Sequence, residues 1–179
     1  MLGLGNGIIK SKGPSLVLLQ TYTSDFTSDV DSWVATDNVE GTLTLAANQT
    51  APGDSAGWLK GTFDTNQSGS LSGIHRASTF TTAGVDYYQV SYKIYLDSPG
   101  DNDYWDGTDA VATFAKFGSN ATSDETIPQE QVVTVSSPVR TFGGSNATVY
   151  IYWASSFDIP SANAVFYIKD VVWKTYKSV

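Results

Sequence analysis

Residues 87–96 read YYQVSYKIYL, and their character alternates with a period of two. Tyr88, Val90, Tyr92, Ile94 and Leu96 fall on one face, and Gln89, Ser91, Lys93 and Tyr95 on the other. Successive side chains of a strand point to opposite sides of its sheet, so the pattern predicts a half-buried β-strand. The stretch contains no Gly or Pro and is β-branched or aromatic at most positions, and Asp97-Ser98-Pro99-Gly100 closes it with turn chemistry. It therefore reads as a central strand. Residues 165–176, VFYIKDVVWKTY, match it at the far end of the chain. Pairing between the two would close a sheet across the sequence and make a complete domain.

Working outward, further strands are expected at residues 15–22 (SLVLLQTY), 41–47 (GTLTLAA, with Leu43 and Leu45 inward), 58–63 (WLKGTF) and 70–79. Others follow at residues 110–117 (AVATFAKF), 130–135 and 148–154 (TVYIYWA), the last with Val149, Ile151 and Trp153 on one face. A turn-rich passage at residues 25–34 holds Phe26 and Trp33, polar loops fill residues 49–57, 64–69 and 118–128, and residues 140–145 turn the chain again. Roughly eight to ten short strands with turn signals at this spacing predict an all-β fold, a two-sheet antiparallel β-sandwich of the jelly-roll or immunoglobulin kind. No internal repeat and no amphipathic helix is evident. The 179 residues suit one domain, residues 15–179, preceded by an extended N-terminal arm, residues 1–14.

Composition narrows the function classes. The chain has no cysteine, so disulfides, thiolate metal sites and a cysteine nucleophile are excluded. A formal net charge of −8 argues against nucleic acid and anionic membranes as partners, because phosphate contacts need clustered Lys and Arg. No basic segment followed by an apolar run opens the chain, so no secretory signal is expected. His75 is the single histidine and stands beside Arg76 without a nucleophile signature near it, a poor basis for a triad. Trp33, Trp58 and Trp153 lie in or next to strand patterns and read as core.

Residues 101–109, DNDYWDGTD, are the most unusual segment, joining a carboxylate cluster to two adjacent aromatics. Sugar recognition uses such a combination: the rings of Tyr104 and Trp105 would stack on the apolar side of a pyranose, while Asp101, Asn102, Asp103 and Asp106 would bind its hydroxyls. The bland reading is that Trp105 anchors the loop and the acids are solvated. A calcium loop of the EF-hand type fails, since Gly107 comes one position late and Ala112 stands where a bidentate Glu is needed. Glycoside hydrolysis would need two of Asp101, Asp103, Asp106 and Asp109 at a defined separation, which no spacing in the sequence sets. A noncatalytic protein is the expectation.

Four features stand in a familiar order: Phe26 and Trp33 in DFTSDVDSW, Trp58 in SAGWLKG, the YYQVSYKIYL strand, and FYIKDVVW near the end. This order resembles carbohydrate-binding-module jelly rolls of the family 4/9/22 type. The resemblance implies a jelly-roll fold and glycan binding. In that family an acidic residue after the opening Phe and an Asp in the closing strand hold a structural calcium. Here Thr27 and Lys169 take those positions, with Asp170 next along, and a lysine ammonium repels calcium. No metal site and no cofactor is therefore carried over.

The arm, MLGLGNGIIKSKGP, has Leu2, Leu4, Ile8 and Ile9 among glycines and cannot build a core of its own. MLGLGNGI is similar to short Gly-rich starts of small structural proteins in tailed-phage virions. That similarity implies a virion protein, assembled in the host cytoplasm, whose arm docks on other virion proteins. Several weak arms acting together imply a homo-oligomer such as a trimer. Two alternatives remain: a capsid cement or decoration protein without sugar binding, and a glycan-active enzyme domain.

Overall fold

The computed structural model describes residues 14–37, 39–67, 72–77, 81–97, 110–117, 120–121, 125–144, 148–153 and 162–179. Its strands are β1 (Leu16–Ser24), β2 (Val34–Ala35), β3 (Leu43–Gln49), β4 (Trp58–Phe63), β5 (Ser72–Ala77), β6 (Tyr87–Asp97) and β7 (Ala110–Phe117). They continue with β8 (Asn120–Ala121), β9 (Glu125–Pro128), β10 (Val133–Ser136), β11 (Arg140–Thr141), β12 (Thr148–Trp153) and β13 (Val165–Ser178). A seven-stranded sheet, sheet A, runs β10-β6-β13-β4-β3, with β1 also on β13 and β11 also on β6. A six-stranded sheet, sheet B, runs β2-β5-β12-β7-β8, with β9 also on β7. All these pairs are antiparallel, and the two sheets form a β-sandwich of jelly-roll type.

The alternation at residues 87–96 does what it predicts. Tyr88, Val90, Tyr92, Ile94 and Leu96 are all buried, and β6 pairs with β13 in the register Tyr88↔Thr175, Val90↔Trp173, Ile94↔Ile168 and Leu96↔Phe166. The last strand is long enough to serve three neighbours. Its first part, Val165 to Ile168, pairs with β4, and its second part pairs with β1 on the same side. Between them a β-bulge after Lys169 shifts the register, with Asp170 in the left-handed region at φ 53°. The bulge lets Phe166 and Ile168 before it, and Val171 and Trp173 after it, all face the core.

Between the sheets the core is aromatic. Trp173 and Tyr88 stack with centroids 6.0 Å apart and planes 9° apart, and Phe117 from sheet B meets both edge-on. A Cβ at Gly61 would lie 2.0 Å from the Phe166 ring, so the ring lies across β4 where only glycine leaves room. Phe26 and Trp33, which open the motif order in the sequence, are both core residues, and the Trp33 indole donates to Ser24 Oγ at 2.8 Å. At the same end Arg76 ties the sheets together: its Nε donates to the Asp31 carbonyl at 2.6 Å, its Nη2 reaches the Asp31 carboxylate, and its guanidinium lies 4.4 Å over the Tyr22 ring. The Tyr22 hydroxyl donates to the same carboxylate.

Three local expectations need correction. Residues 125–128, assigned to a polar connection, form the edge strand β9, in which Ile127 is buried; four residues are too few to show a period. Glu130, expected to begin a strand, sits in a turn at φ 57°, where its N–H is donated to the Leu96 carbonyl. Arg140 and Thr141 were expected in a turn and instead pair with Tyr88 and Tyr87. The arm, with Leu2, Leu4, Ile8 and Ile9, lies outside the described residues except for Pro14.

Candidate functional site

Each sheet turns one face inward, so each has an outer face, and both outer faces carry aromatics. On sheet B, Ile74 and Ile151 point into the core, which puts His75, Tyr150 and Tyr152 on the other side. Register brings them together from strands distant in sequence: His75 is opposite Val34 on one side and Tyr150 on the other, and Tyr150 is in turn opposite Lys116. The rings form a row. His75 and Tyr150 have centroids 5.5 Å apart and tilted by 31°, and Tyr150 and Tyr152 are 5.2 Å apart with planes 9° apart. His75 and Tyr150 are half-buried, Tyr152 is buried, and Val34 at the margin of the row is 49% exposed.

The electrostatics of this face follow from its partial closure. Burial, then Tyr150, then Asp37 push the Tyr152 phenol up to about 12, so it is a neutral hydroxyl able to donate. Asp37 is exposed, and its negative charge adds to the upward shift of that phenol. His75 Nδ1 is covered and has no hydrogen-bond partner, so it is not the ring edge that a ligand would meet. Near-parallel rings with phenolic hydroxyls on a partly open sheet face can stack on a sugar and hydrogen-bond its rim.

The outer face of sheet A is different. Trp58, Tyr95 and Tyr167 alternate with the core residues Leu59, Ile94, Leu96, Phe166 and Ile168, and they form a second cluster with Ala51 and Val165. Trp58 is buried, as its strand position predicts, but on the outer face of the sandwich and not between the sheets. Tyr95 and Tyr167 meet edge-on at 5.9 Å, with Lys60 Nζ 5.8 Å above the Tyr167 ring. Burial raises both phenols and the Asp97 charge raises them further, while burial raises the Asp97 carboxyl itself and Lys60 pulls it back. With Tyr95 and Tyr167 each 6% exposed and Trp58 fully buried, this face is closed to a ligand.

Asp101, Asn102, Asp103, Tyr104, Trp105, Asp106 and Asp109 lie outside the described residues. What can be placed is their exit: Ala110 begins β7, the strand beside β12, and Phe114 of β7 is opposite Tyr152. Trp153, read as core, has its backbone in β12 but its side chain is likewise outside the described residues. His75, Tyr150 and Tyr152 were missed as a site. The alternation in TVYIYW already turns both tyrosines outward, but only the sheet order shows that His75 joins them.

No protein-family model and no curated protein sequence matches the chain. Solved structures do. The C-terminal family 22 carbohydrate-binding module of Clostridium thermocellum Xyn10B superposes with a TM-score of 0.57 at 18% identity, over 88% of this chain and 94% of that one. A xylan-binding domain of the same module family gives 0.55 at 19% identity, over 88% and 96%. The xylan-binding module of Paenibacillus barcinonensis Xyn10C gives 0.52 at 11% identity, over 94% and 100%. The fold of this chain is that of the carbohydrate-binding-module jelly rolls.

Proposed function

We propose that the chain is a noncatalytic glycan-binding module and that the glycan lies on the outer face of sheet B, against His75 and Tyr150, with Tyr152 packed against Tyr150 in support. The observation that carries this reading is the ring row itself: His75 and Tyr150 keep part of their surface open on the sheet face, with buried Tyr152 stacked on Tyr150 at 9° from parallel. Solved structures with this fold support it, since two of them are described as xylan-binding and a third contains a family 22 module in a xylanase complexed with xylohexaose. Residues 101–109 are proposed to extend the surface with Tyr104 and Trp105, because they lead into β7 next to β12. The experiment is affinity electrophoresis of wild type, Tyr150→Ala and Trp105→Ala against a polysaccharide panel that includes xylan and bacterial surface glycans. Retardation that weakens by roughly tenfold or more in Tyr150→Ala supports the site. Retardation unchanged in Tyr150→Ala removes this face, and unchanged in Trp105→Ala removes the loop. No retardation by any glycan ends the binding reading, and release of reducing sugar ends the noncatalytic one.

The second part of the proposal is that residues 1–14 attach the module to a virion as a homo-oligomer. One described feature favours an attachment at this end: Leu16, Val17, Leu18 and Leu19 of β1 are consecutive and 37–52% exposed, on a strand that among the described residues pairs only with β13 and carries no charge. Long uncharged edges of this kind are normally guarded or covered. Deleting residues 1–13 and measuring the mass in solution tests it. A smaller species after deletion supports the proposal, and a monomer with or without the arm overturns the oligomer.

A further inference from the structure

The resemblance to family 4/9/22 modules implies a calcium held between the residue after the opening Phe and the closing strand, and the residues found there do not fit one. The two positions do converge. A Cβ built on Gly57 would have Thr27 Cγ2 at 3.4 Å and the Lys169 side chain at 3.7 Å and 3.9 Å, so Thr27, Gly57 and Lys169 share one small space. The group that fills it is cationic already. Lys169 Nζ donates to the Ala56 carbonyl at 2.9 Å and to Ser55 Oγ at 3.1 Å, and it stands 5.7 Å from the centre of the Trp58 ring. A backbone carbonyl, a hydroxyl and an aromatic face are the partners that an ammonium accepts, and the first two are oxygens of the kind that ligate calcium.

The charges around it support the same reading. Asp54 is held below the usual carboxylate range, first by the Ser55 N–H and in smaller part by Lys169 and Lys93. Lys93 also pairs with Asp170 at 2.8 Å. The charges of Asp54 in the loop, of Lys169 upon it and of the Lys93–Asp170 pair already balance, and a divalent ion would leave an excess of positive charge. No group of three or more His, Asp or Glu side chains that could hold a metal occurs among the described residues.

The loop needs something to hold it. Gly57 sits at φ 96°, in the left-handed region, and Pro52 to Ala56 precede it without belonging to a strand. Immediately after, Trp58 must be delivered to the outer cluster with Tyr95, Tyr167 and Ala51. We propose that the Lys169 ammonium is a tethered cation that takes the place of a bound calcium, clamping residues 55–57 and thereby seating Trp58 without any metal. The β13 bulge that follows Lys169 fits this role, because it ends the pairing with β4 at Ile168 and leaves Lys169 beside the loop.

The test uses the full chain in two measurements. Thermal unfolding of the wild type in excess EDTA and in millimolar calcium should give the same midpoint, and calorimetry should show no calcium uptake. Lys169→Met keeps the aliphatic stem and removes the charge. Hydrogen exchange of the segment 51–58 in this variant should be about tenfold faster, with β6 and β12 unchanged. A wild-type midpoint that rises with calcium overturns the proposal whether or not the variant folds. Exchange at residues 51–58 that is unchanged by Lys169→Met also overturns it, since the ammonium would then clamp nothing.

Discussion

The two outer faces of the sandwich carry similar side chains and have opposite fates. Sheet A presents Trp58, Tyr95 and Tyr167, and a loop with Ala51 closes over them until almost no ring surface is left. Sheet B presents His75, Tyr150 and Tyr152, and two of the three keep part of their surface in solvent. Aromatic content alone therefore does not mark a binding face. What separates them is whether the chain covers its own rings: a covered ring adds to folding stability, and an open one can spend its apolar surface on a ligand.

The sharpest way to break this contrast is Trp58→Ala. Trp58 is fully buried, so the substitution should destabilise folding by about 3 to 5 kcal/mol, read as a lower denaturant midpoint. Sugar binding by the fraction that remains folded should be unchanged. A variant of near wild-type stability that no longer binds glycan would reverse the assignment and make sheet A the site.

A smaller effect sharpens the other side. Tyr150→Ala removes ring and hydroxyl together, whereas Tyr150→Phe removes only the hydroxyl. The Phe variant should lose about 0.5 to 1.5 kcal/mol of glycan binding if the phenol hydrogen-bonds the ligand, less than the Ala variant, with its folding stability within about 1 kcal/mol of wild type. Equal losses in both variants would mean that stacking contributes nothing at this position.

The contrast also explains what sequence could and could not show. The period of two in YYQVSYKIYL places five core residues and the central pairing of β6 with β13, because burial between sheets imposes that period directly. Phe26 and Trp33 are legible for the same reason: large apolar residues in a turn-rich passage have few places to go except the core. The outer faces are harder. Trp58 and Tyr150 both alternate with core residues, and the alternation says only that they point away from the core. Whether a loop then folds over them depends on contacts such as Lys169 with Ala56, 113 residues apart in sequence. His75 becomes part of a row only when β5 is placed beside β12, a non-local pairing that no local pattern encodes. The short strands β9 and β11 fall in stretches that read as connection and turn because four and two residues are too few to show a period.

The smallest expected effect concerns a charge on the closed face. Asp97 ends β6 opposite Val165, and its carboxyl is raised above the ordinary 3.8 by burial first and by Glu130, with Lys60 opposing. A raised folded-state value means that the native protein keeps this proton after the unfolded chain has lost it. Stability from this group is therefore highest at low pH and declines as pH rises from about 3.8 through the folded value. Asp25, Asp54 and Asp64 run the other way, since backbone N–H donors lower all three, and their contribution is lost on acidification. The net acid profile mixes both signs, so the useful quantity is the difference between wild type and Asp97→Asn. That difference should favour the variant at neutral pH by a fraction of a kcal/mol, because Asp97 is only half-buried and solvent screens it, and it should shrink as the pH falls toward the ordinary aspartate range. Denaturant melts of both proteins across the acid range measure it. A variant that is less stable at neutral pH would show that Asp97 is held by favourable contacts as a carboxylate, and that the closed face accommodates charge as readily as the open one.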